Sequence, residues 1–181
     1  MRAKITCKSL VMTRKQLFLD VDGVLHPFHG AHMREADVTT FHRDCMQRLQ
    51  RIVDETECEI VLSSSWRNFL NTRNILHANL AEYGLTFQTW IEPDFPGSHA
   101  SPSVGKFSKI VAFVQAHHPE EWVVLDDEDL LTMSAVDRHS LMAQLFESRF
   151  VRTDERKGLT DGDVERVIRI FNCDYDADSD N

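Results

Sequence analysis

The stretch Leu17-Phe18-Leu19-Asp20-Val21-Asp22-Gly23-Val24-Leu25 determines how the rest of the chain is interpreted. An apolar run is followed by two aspartates at i and i+2, then by a glycine and further apolar residues. We predict a short buried strand that brings both carboxylates to its carboxyl end, where Gly23 lets the chain turn. Two acids beside an apolar core are costly unless a cation lies between them, so the stretch predicts a metal site and a reaction.

Two other interpretations of the aspartate pair are less favourable. A solvated turn is common for Asp-x-Asp, but here apolar residues flank the pair on both sides. A calcium-binding EF-hand loop needs a third oxygen ligand two residues after Asp22 and a glycine after that. Those positions hold Val24 and Leu25, which excludes a calcium loop.

Length and composition predict one domain. The chain has 181 residues, 42% of them hydrophobic and 27% charged, which is ordinary for a globular protein. Its net charge of −9 opposes unassisted binding to a nucleic acid backbone. No apolar run approaches the roughly 20 residues of a membrane span, so no membrane partner is expected. We predict an N-terminal extension over 1–15, a folded domain over 16–173 and an acidic disordered tail over 174–181.

The cysteines give no sign of a zinc site or of a disulfide framework. The chain has four of them, Cys7, Cys45, Cys58 and Cys173. They are scattered and contain no Cys-x-x-Cys pair, so we expect reduced and mostly buried thiols, as in a cytoplasmic protein.

Apolar periodicity predicts that strands alternate with helices. After the first strand we predict strands near 59–62, 85–90, 122–125 and 150–151. Helices are predicted over about 41–55, 68–83, 106–118 and 137–147, followed by a last helix capped by Thr160. Leu70 and Leu141 are expected to face the core. This order predicts an α/β fold, a three-layer Rossmann-like doubly wound parallel sheet of about five strands, without a sizeable cap domain.

Two stretches are predicted to be loops. Residues 92–104 are rich in Pro, Gly, Ser and Asp. Residues 23–39 carry His26, His29 and His32, whose spacing does not fix a common face in a loop that contains Pro and Gly. We therefore favour a polar rim of an active site over a histidine metal site for these three residues.

Polar side chains follow three of the predicted strands. They are the Asp20/Asp22 pair, Ser63–Ser65 and the Asp126/Asp127 pair. Because the carboxyl ends of parallel strands meet at one edge of a sheet, where ligands bind, we expect these groups to form one site.

In this order, Asp20-x-Asp22, a strand-end serine, Lys106 near a helix start and Asp126-Asp127 resemble the four motifs of the haloacid dehalogenase (HAD) superfamily. The Ser-Ser-Ser-Trp-Arg and Leu-Asp-Asp segments are similar to those of small capless HAD domains, including ones linked to RNA repair proteins. The resemblance spans roughly 17–172 and implies that 16–173 is a HAD-like catalytic domain. Its first motif is specific, whereas the others gain weight from their order.

The resemblance implies a magnesium-dependent phosphatase. Asp20 would be the nucleophile that forms an aspartyl-phosphate, and Asp22 would be the general acid and base. Mg²⁺ would bind Asp20, the backbone carbonyl of Asp22, Asp126 and Asp127, the last directly or through water.

The phosphate-binding residues implied by the resemblance leave two choices open. Ser63 comes first after the strand, whereas counting back from Trp66 favours Ser64. Lys106 is preferred over Lys109 as the phosphate-binding cation, because it follows the predicted loop at a helix start.

The competing function is a catalytically weak HAD-like module that binds or regulates a partner. A receiver domain is disfavoured because serines follow Leu62, where a phosphoacceptor aspartate is expected. A P-loop NTPase lacks the required glycine upstream of Gly105-Lys106.

The missing cap predicts a bulky phosphorylated substrate, either a nucleic acid end or a phosphoprotein. The rim residues expected to contact it are His26, His29, His32, Arg34 and Arg67. Oligomeric state has no signature in the sequence.

Overall fold

The computed structural model describes residues 15–27, 41–92, 102–133 and 139–172. Its five strands are β1 (Lys15–Leu19), β2 (Glu59–Leu62), β3 (Phe87–Trp90), β4 (Glu121–Asp126) and β5 (Phe150–Arg152). Its helices are α1 (Arg43–Thr56), α2 (Leu70–Ala81), α3 (Pro102–His117), α4 (Leu130–Met133), α5 (Leu141–Ser148) and α6 (Asp161–Asn172). A short 3₁₀ helix, Ser65–Asn68, precedes α2.

The strands form one parallel sheet in the order β3-β2-β1-β4-β5. The central strand β1 is buried except at its first residue, as expected for a strand covered on both faces. The predicted α/β class, the strand number and the parallel arrangement are therefore confirmed. No cap domain lies among the described residues.

The side chains of β1 alternate between two apolar cores. Leu17 and Leu19 belong to the core that includes the buried residues of α1, α2 and α6. Phe18 belongs to the core on the other face, with Phe107 of α3 and Phe146 of α5. Helices cover both faces of the sheet, so the predicted three-layer arrangement is confirmed.

Most element boundaries agree with the prediction to within a few residues. Gly84 ends the turn after α2 with a φ of 70°, which glycine adopts without strain. Thr160 precedes α6, and its hydroxyl hydrogen-bonds Asp163 at 2.6 Å. The predicted loop over 92–104 is too long, because α3 already begins at Pro102.

Two predicted core residues are wrong. Leu70 is 66% exposed and Leu141 is 84% exposed. They are the first residues of α2 and α5. Helical side chains lean toward the N-terminus of their helix, so a side chain at the first position extends beyond the packed turns.

Cys45 and Cys58 are buried and form no disulfide, as predicted. Cys7, Cys173, the N-terminal extension and the acidic tail lie outside the described residues. In the part of the chain that the structure describes, no helix has the length and apolar character needed to cross a membrane.

Candidate active site

The register of the sheet brings three polar residues to the same level. β1 pairs in parallel with β2 on one side and with β4 on the other, up to Leu19. The ladder continues for one more step, because the Ser63 amide donates to the Leu19 carbonyl at 2.9 Å and the Asp20 amide donates to the Leu125 carbonyl at 3.0 Å. Asp20, Ser63 and Asp126 therefore lie side by side at the carboxyl edge, and all three are buried.

An acidic cluster forms at this edge. Carboxylate oxygens of Asp20, Asp126 and Asp127 all lie within 4.8 Å of one another. Lys106 reaches into the cluster from α3: its ammonium is 2.9 Å from Asp126 Oδ2 and 3.5 Å from Asp20 Oδ2. It also lies 3.5 Å from Glu128 Oε2, an ion-pair contact without a hydrogen bond.

The charges of the cluster perturb one another. Burial raises the pKa of Asp126 well above its ordinary value, and the negative charge of Asp20 raises it further. Burial and Asp20 likewise raise the pKa of Asp127 to about 6. Burial alone would lower the pKa of Lys106, but the charges of Asp20, Asp126 and Glu128 together outweigh that effect and raise it. The site thus has an excess of negative charge that Lys106 offsets in part.

Asp22 lies in a tight turn just after β1. The amides of Val24, Leu25 and His26 all donate to the Val21 carbonyl, at 2.8 to 3.2 Å. The Trp66 indole Nε1 donates to Asp22 Oδ2 at 2.9 Å, and His26 Nδ1 lies 3.7 Å from Asp22 Oδ1. Burial is the main cause of a raised pKa at Asp22, and the charge of Asp20 adds to it.

Gly23 is required in this turn for two reasons. Its φ is 70°, in the left-handed region that favours glycine. A Cβ atom at this position would lie 2.4 Å from Asp127 Cγ, so even alanine would displace a member of the acidic cluster. The Gly23 carbonyl accepts a hydrogen bond from Thr153 Oγ1 at 2.9 Å, which ties the turn to the segment after β5.

The buried side chain of Arg67 holds the backbone of the segment Ser63–Ser65, called the serine loop below. It is only 2% exposed, and its Nη1 donates to the carbonyls of Ser63 and Ser64, each at 2.8 Å. Its Nε donates to the Glu92 carbonyl at 3.1 Å, beyond the end of β3. Because the N–H of a trans peptide points opposite to its C=O, the amides of Ser64 and Ser65 are directed away from the guanidinium.

The two serines differ in their hydrogen bonding. The Ser64 hydroxyl caps the 3₁₀ helix by accepting from the Trp66 amide at 3.4 Å. The Ser63 hydroxyl is fully buried and has no hydrogen-bond partner in the described part of the chain.

The structure brings most of the predicted site residues together but corrects the position of three. Lys106 is the fifth residue of α3 rather than its start, yet it reaches the acidic cluster as expected. Arg67 and His26 are buried, at 2% and 6% exposure, and so do not form an exposed rim. The other predicted rim residues, His29, His32 and Arg34, lie outside the described residues.

Two participants were not predicted from the sequence. Nothing in the sequence indicates that the indole N–H of Trp66 reaches a carboxylate 44 residues away. Glu128 follows the acidic pair in sequence, and its carboxylate lies within ion-pair distance of Lys106.

The acidic cluster suits a hard divalent cation. Mg²⁺ binds oxygen ligands at 2.0–2.1 Å, so its ligand oxygens lie at most about 4 Å apart. The 4.8 Å span of the three carboxylates is slightly wider, so small side-chain movements would complete the site. The repulsion among carboxylates buried together is what a bound cation would relieve.

Mg²⁺ is expected to stabilise the protein more at pH 7 than at pH 5. The raised pKa values of Asp126 and Asp127 mean that the folded state keeps protons which the unfolded chain loses above about pH 4. The stability from the Asp127 proton is lost as the pH rises through about 6, and at pH 5 that proton competes with metal. Thermal unfolding with EDTA or with millimolar Mg²⁺ at both pH values measures the difference.

Two variants control that measurement. Asp126→Asn should remove most of the Mg²⁺ effect, whereas Asp54→Asn, on the exposed face of α1, should keep it. An equal response in the two variants would show that the cluster is not where the metal binds.

Replacing the buried Arg67 by lysine is expected to destabilise the protein by about 3 kcal/mol. A lysine ammonium cannot donate at once to the Ser63 and Glu92 carbonyls, so at least one buried carbonyl would lose its hydrogen bond. Urea denaturation measures the loss. Arg51→Lys on exposed α1 is the control and should change little. Equal stability of the two variants would show that the hydrogen bonds of Arg67 to these carbonyls do not stabilise the fold.

Comparison with known proteins connects this site to one family. A family model described as the HAD domain in Swiss Army Knife RNA repair proteins matches residues 16–164. Comparisons with curated proteins and with solved structures found no match.

Proposed function

Because the chain belongs to the family of HAD domains found in Swiss Army Knife RNA repair proteins, we propose that it is a Mg²⁺-dependent phosphatase that acts through an aspartyl-phosphate on Asp20. Membership of the family supports a phosphatase-type hydrolase in general. The observation that carries the finer proposal is the buried acidic cluster of Asp20, Asp126 and Asp127, with Lys106 reaching into it.

In the proposed reaction the Asp20 carboxylate attacks phosphorus, and the bond to the leaving oxygen breaks. Asp22 gives its proton to that oxygen, so the alcohol leaves neutral. Water then attacks the aspartyl-phosphate, Asp22 takes a proton from the water, and inorganic phosphate leaves with Asp20 restored. The raised pKa of Asp22 supports its role as the proton donor.

The remaining groups of the site would stabilise the charge of the transferring phosphoryl group. Asp20, Asp126, Asp127 and the Asp22 carbonyl are the groups proposed to hold Mg²⁺, which when bound would supply positive charge against the repulsion between phosphate and carboxylates. The Lys106 ammonium would bind a phosphoryl oxygen. Of the two serines, Ser63 is the better candidate, because it lies beside Asp20 and its hydroxyl has no hydrogen-bond partner among the described residues.

We further propose a macromolecular phosphomonoester as the substrate, with a nucleic acid end ahead of a phosphoprotein. The description of the family supports nucleic acid, whereas the net charge of −9 opposes it. Exposed apolar side chains lie after the loop Ser63–Ser65 and at the end of β3: Phe69 is 68% exposed, and Trp90, the last residue of β3, is 38% exposed. The Arg73 guanidinium lies over the Trp90 ring, 4.8 Å from its centroid, a pairing that suits stacking of a nucleobase.

The test compares an aryl phosphate, an oligonucleotide with a terminal phosphate and a phosphopeptide, each with Mg²⁺ and with EDTA. We expect Mg²⁺-dependent turnover of all three, with the oligonucleotide showing the highest kcat/KM. No cap domain lies among the described residues to enclose a small ester, so we expect its KM to lie near or above 1 mM, the upper end of the usual range. Micromolar KM for a small ester would reject the macromolecular substrate. No turnover of any substrate would favour the catalytically weak binding module.

A further inference from the structure

We propose that Trp66 is a positioning residue that aims the carboxyl group of Asp22 at the leaving oxygen, an inference that rests on the proposed phosphatase function. The Trp66 indole Nε1 donates to Asp22 Oδ2 at 2.9 Å. Because a donor prefers to lie near the plane of the group that accepts from it, this bond favours one orientation of the carboxyl group, whose other oxygen, Oδ1, lies 3.7 Å from His26 Nδ1.

Trp66 is itself held on several sides. Its side chain is 7% exposed, and its ring packs against Phe41 with centroids 5.3 Å apart. Its backbone amide donates to Ser64 Oγ at 3.4 Å, and its carbonyl accepts from Thr72 Oγ1 at 2.6 Å. A donor fixed in this way can hold Asp22 in a defined orientation.

The chemistry of indole suits a carboxyl group that must gain and lose a proton. Indole N–H is a neutral donor that does not titrate, and it can donate both to a carboxylate and to the carbonyl oxygen of a carboxylic acid. An arginine in the same place would favour the charged carboxylate and so oppose proton donation. Trp66 can therefore keep the same contact through both halves of the reaction.

Trp66 also links the two sides of the site. It belongs to the 3₁₀ helix that follows the two serines, whereas Asp22 belongs to the turn after β1. The hydrogen bond between them spans 44 positions in sequence. This hydrogen bond therefore fixes the position of Asp22, the proposed proton donor, relative to the serine loop that is proposed to bind the phosphoryl group.

The test replaces Trp66 by phenylalanine, which keeps an aromatic ring but removes the N–H. An alkyl phosphate needs a proton on its leaving oxygen, whereas p-nitrophenyl phosphate does not, and kcat/KM reports the steps up to departure of that oxygen. Trp66→Phe should lower kcat/KM for the alkyl ester about tenfold more than for the aryl ester. Asp22→Asn should lower kcat/KM for the alkyl ester, relative to that for the aryl ester, even more strongly. In the Asp22→Asn background, Trp66→Phe should not change the ratio of the two kcat/KM values any further.

Trp122→Phe is the matched control, because Trp122 is an equally buried tryptophan on the other face of the sheet. It should leave the ratio of the two esters as in wild type. The positioning role would be overturned if Trp66→Phe left the ratio of kcat/KM for the two esters unchanged, or if the losses in the double variant were additive. In either case, turnover by the wild-type protein would leave the phosphatase proposal standing. Absence of wild-type turnover of both esters and of the oligonucleotide with a terminal phosphate would reject the two proposals together.

Discussion

Replacing Asp20 by asparagine is expected to lower kcat for an aryl phosphate by at least about a thousandfold and to abolish any trappable phosphoenzyme. Asparagine is nearly isosteric but has no carboxylate oxygen with which to attack phosphorus. The backbone contact that places residue 20, from its amide to the Leu125 carbonyl, does not depend on the side chain. Steady-state kinetics and acid-quenched labelling with a radioactive phosphate ester measure the two effects.

The matched control is Asp44→Asn on the exposed face of α1, which removes the same charge away from the site and should keep full activity. Thermal unfolding of both variants separates loss of chemistry from loss of fold. Activity of Asp20→Asn above about one per cent of wild type would mean that another group is the nucleophile.

The fold could be predicted because the residue pattern of each central strand is by itself typical of a buried parallel strand. Leu17–Leu19 and Trp122–Leu125 are apolar on every residue, as central parallel strands must be when helices cover both faces. In such a sheet the carboxyl ends of neighbouring strands coincide, so polar residues that end separate strands meet in space. Asp20 and Asp126 lie next to each other for that reason, although 106 positions separate them.

The details that could not be predicted depend on which groups meet above the edge of the sheet. Leu70 has the spacing of a core residue, but it is the first residue of its helix and is exposed. Arg67 is charged, and charged residues are almost always exposed, so its burial follows from backbone carbonyls that a sequence does not reveal. Lys106 is expected at a helix start, but it is the fifth residue of α3, and its ammonium still lies 2.9 Å from Asp126 Oδ2.

Replacing Lys106 by methionine is expected to destabilise the metal-free protein by about 3 kcal/mol or more at pH 7. Lys106 is 8% exposed, and its ammonium lies between the carboxylates of Asp20 and Asp126, which are 5% and 0% exposed. Methionine fills a similar volume without the charge, so the variant leaves buried carboxylates without their cation. Urea denaturation in EDTA measures the loss, and Lys109→Met, one turn later on α3, is the matched control.

The response of the Lys106→Met variant to metal and to pH tests whether charge is the cause. Mg²⁺ at the acidic cluster would replace part of the missing positive charge, so millimolar Mg²⁺ should stabilise this variant more than wild type. Lowering the pH from 7 to 5 should also shrink the defect, because Asp127, whose pKa is raised to about 6, becomes neutral in the folded state over that interval. A defect that is the same in EDTA, in Mg²⁺ and at both pH values would instead identify Lys106 as a packing residue, and its proposed place beside the phosphoryl group would lose its electrostatic basis.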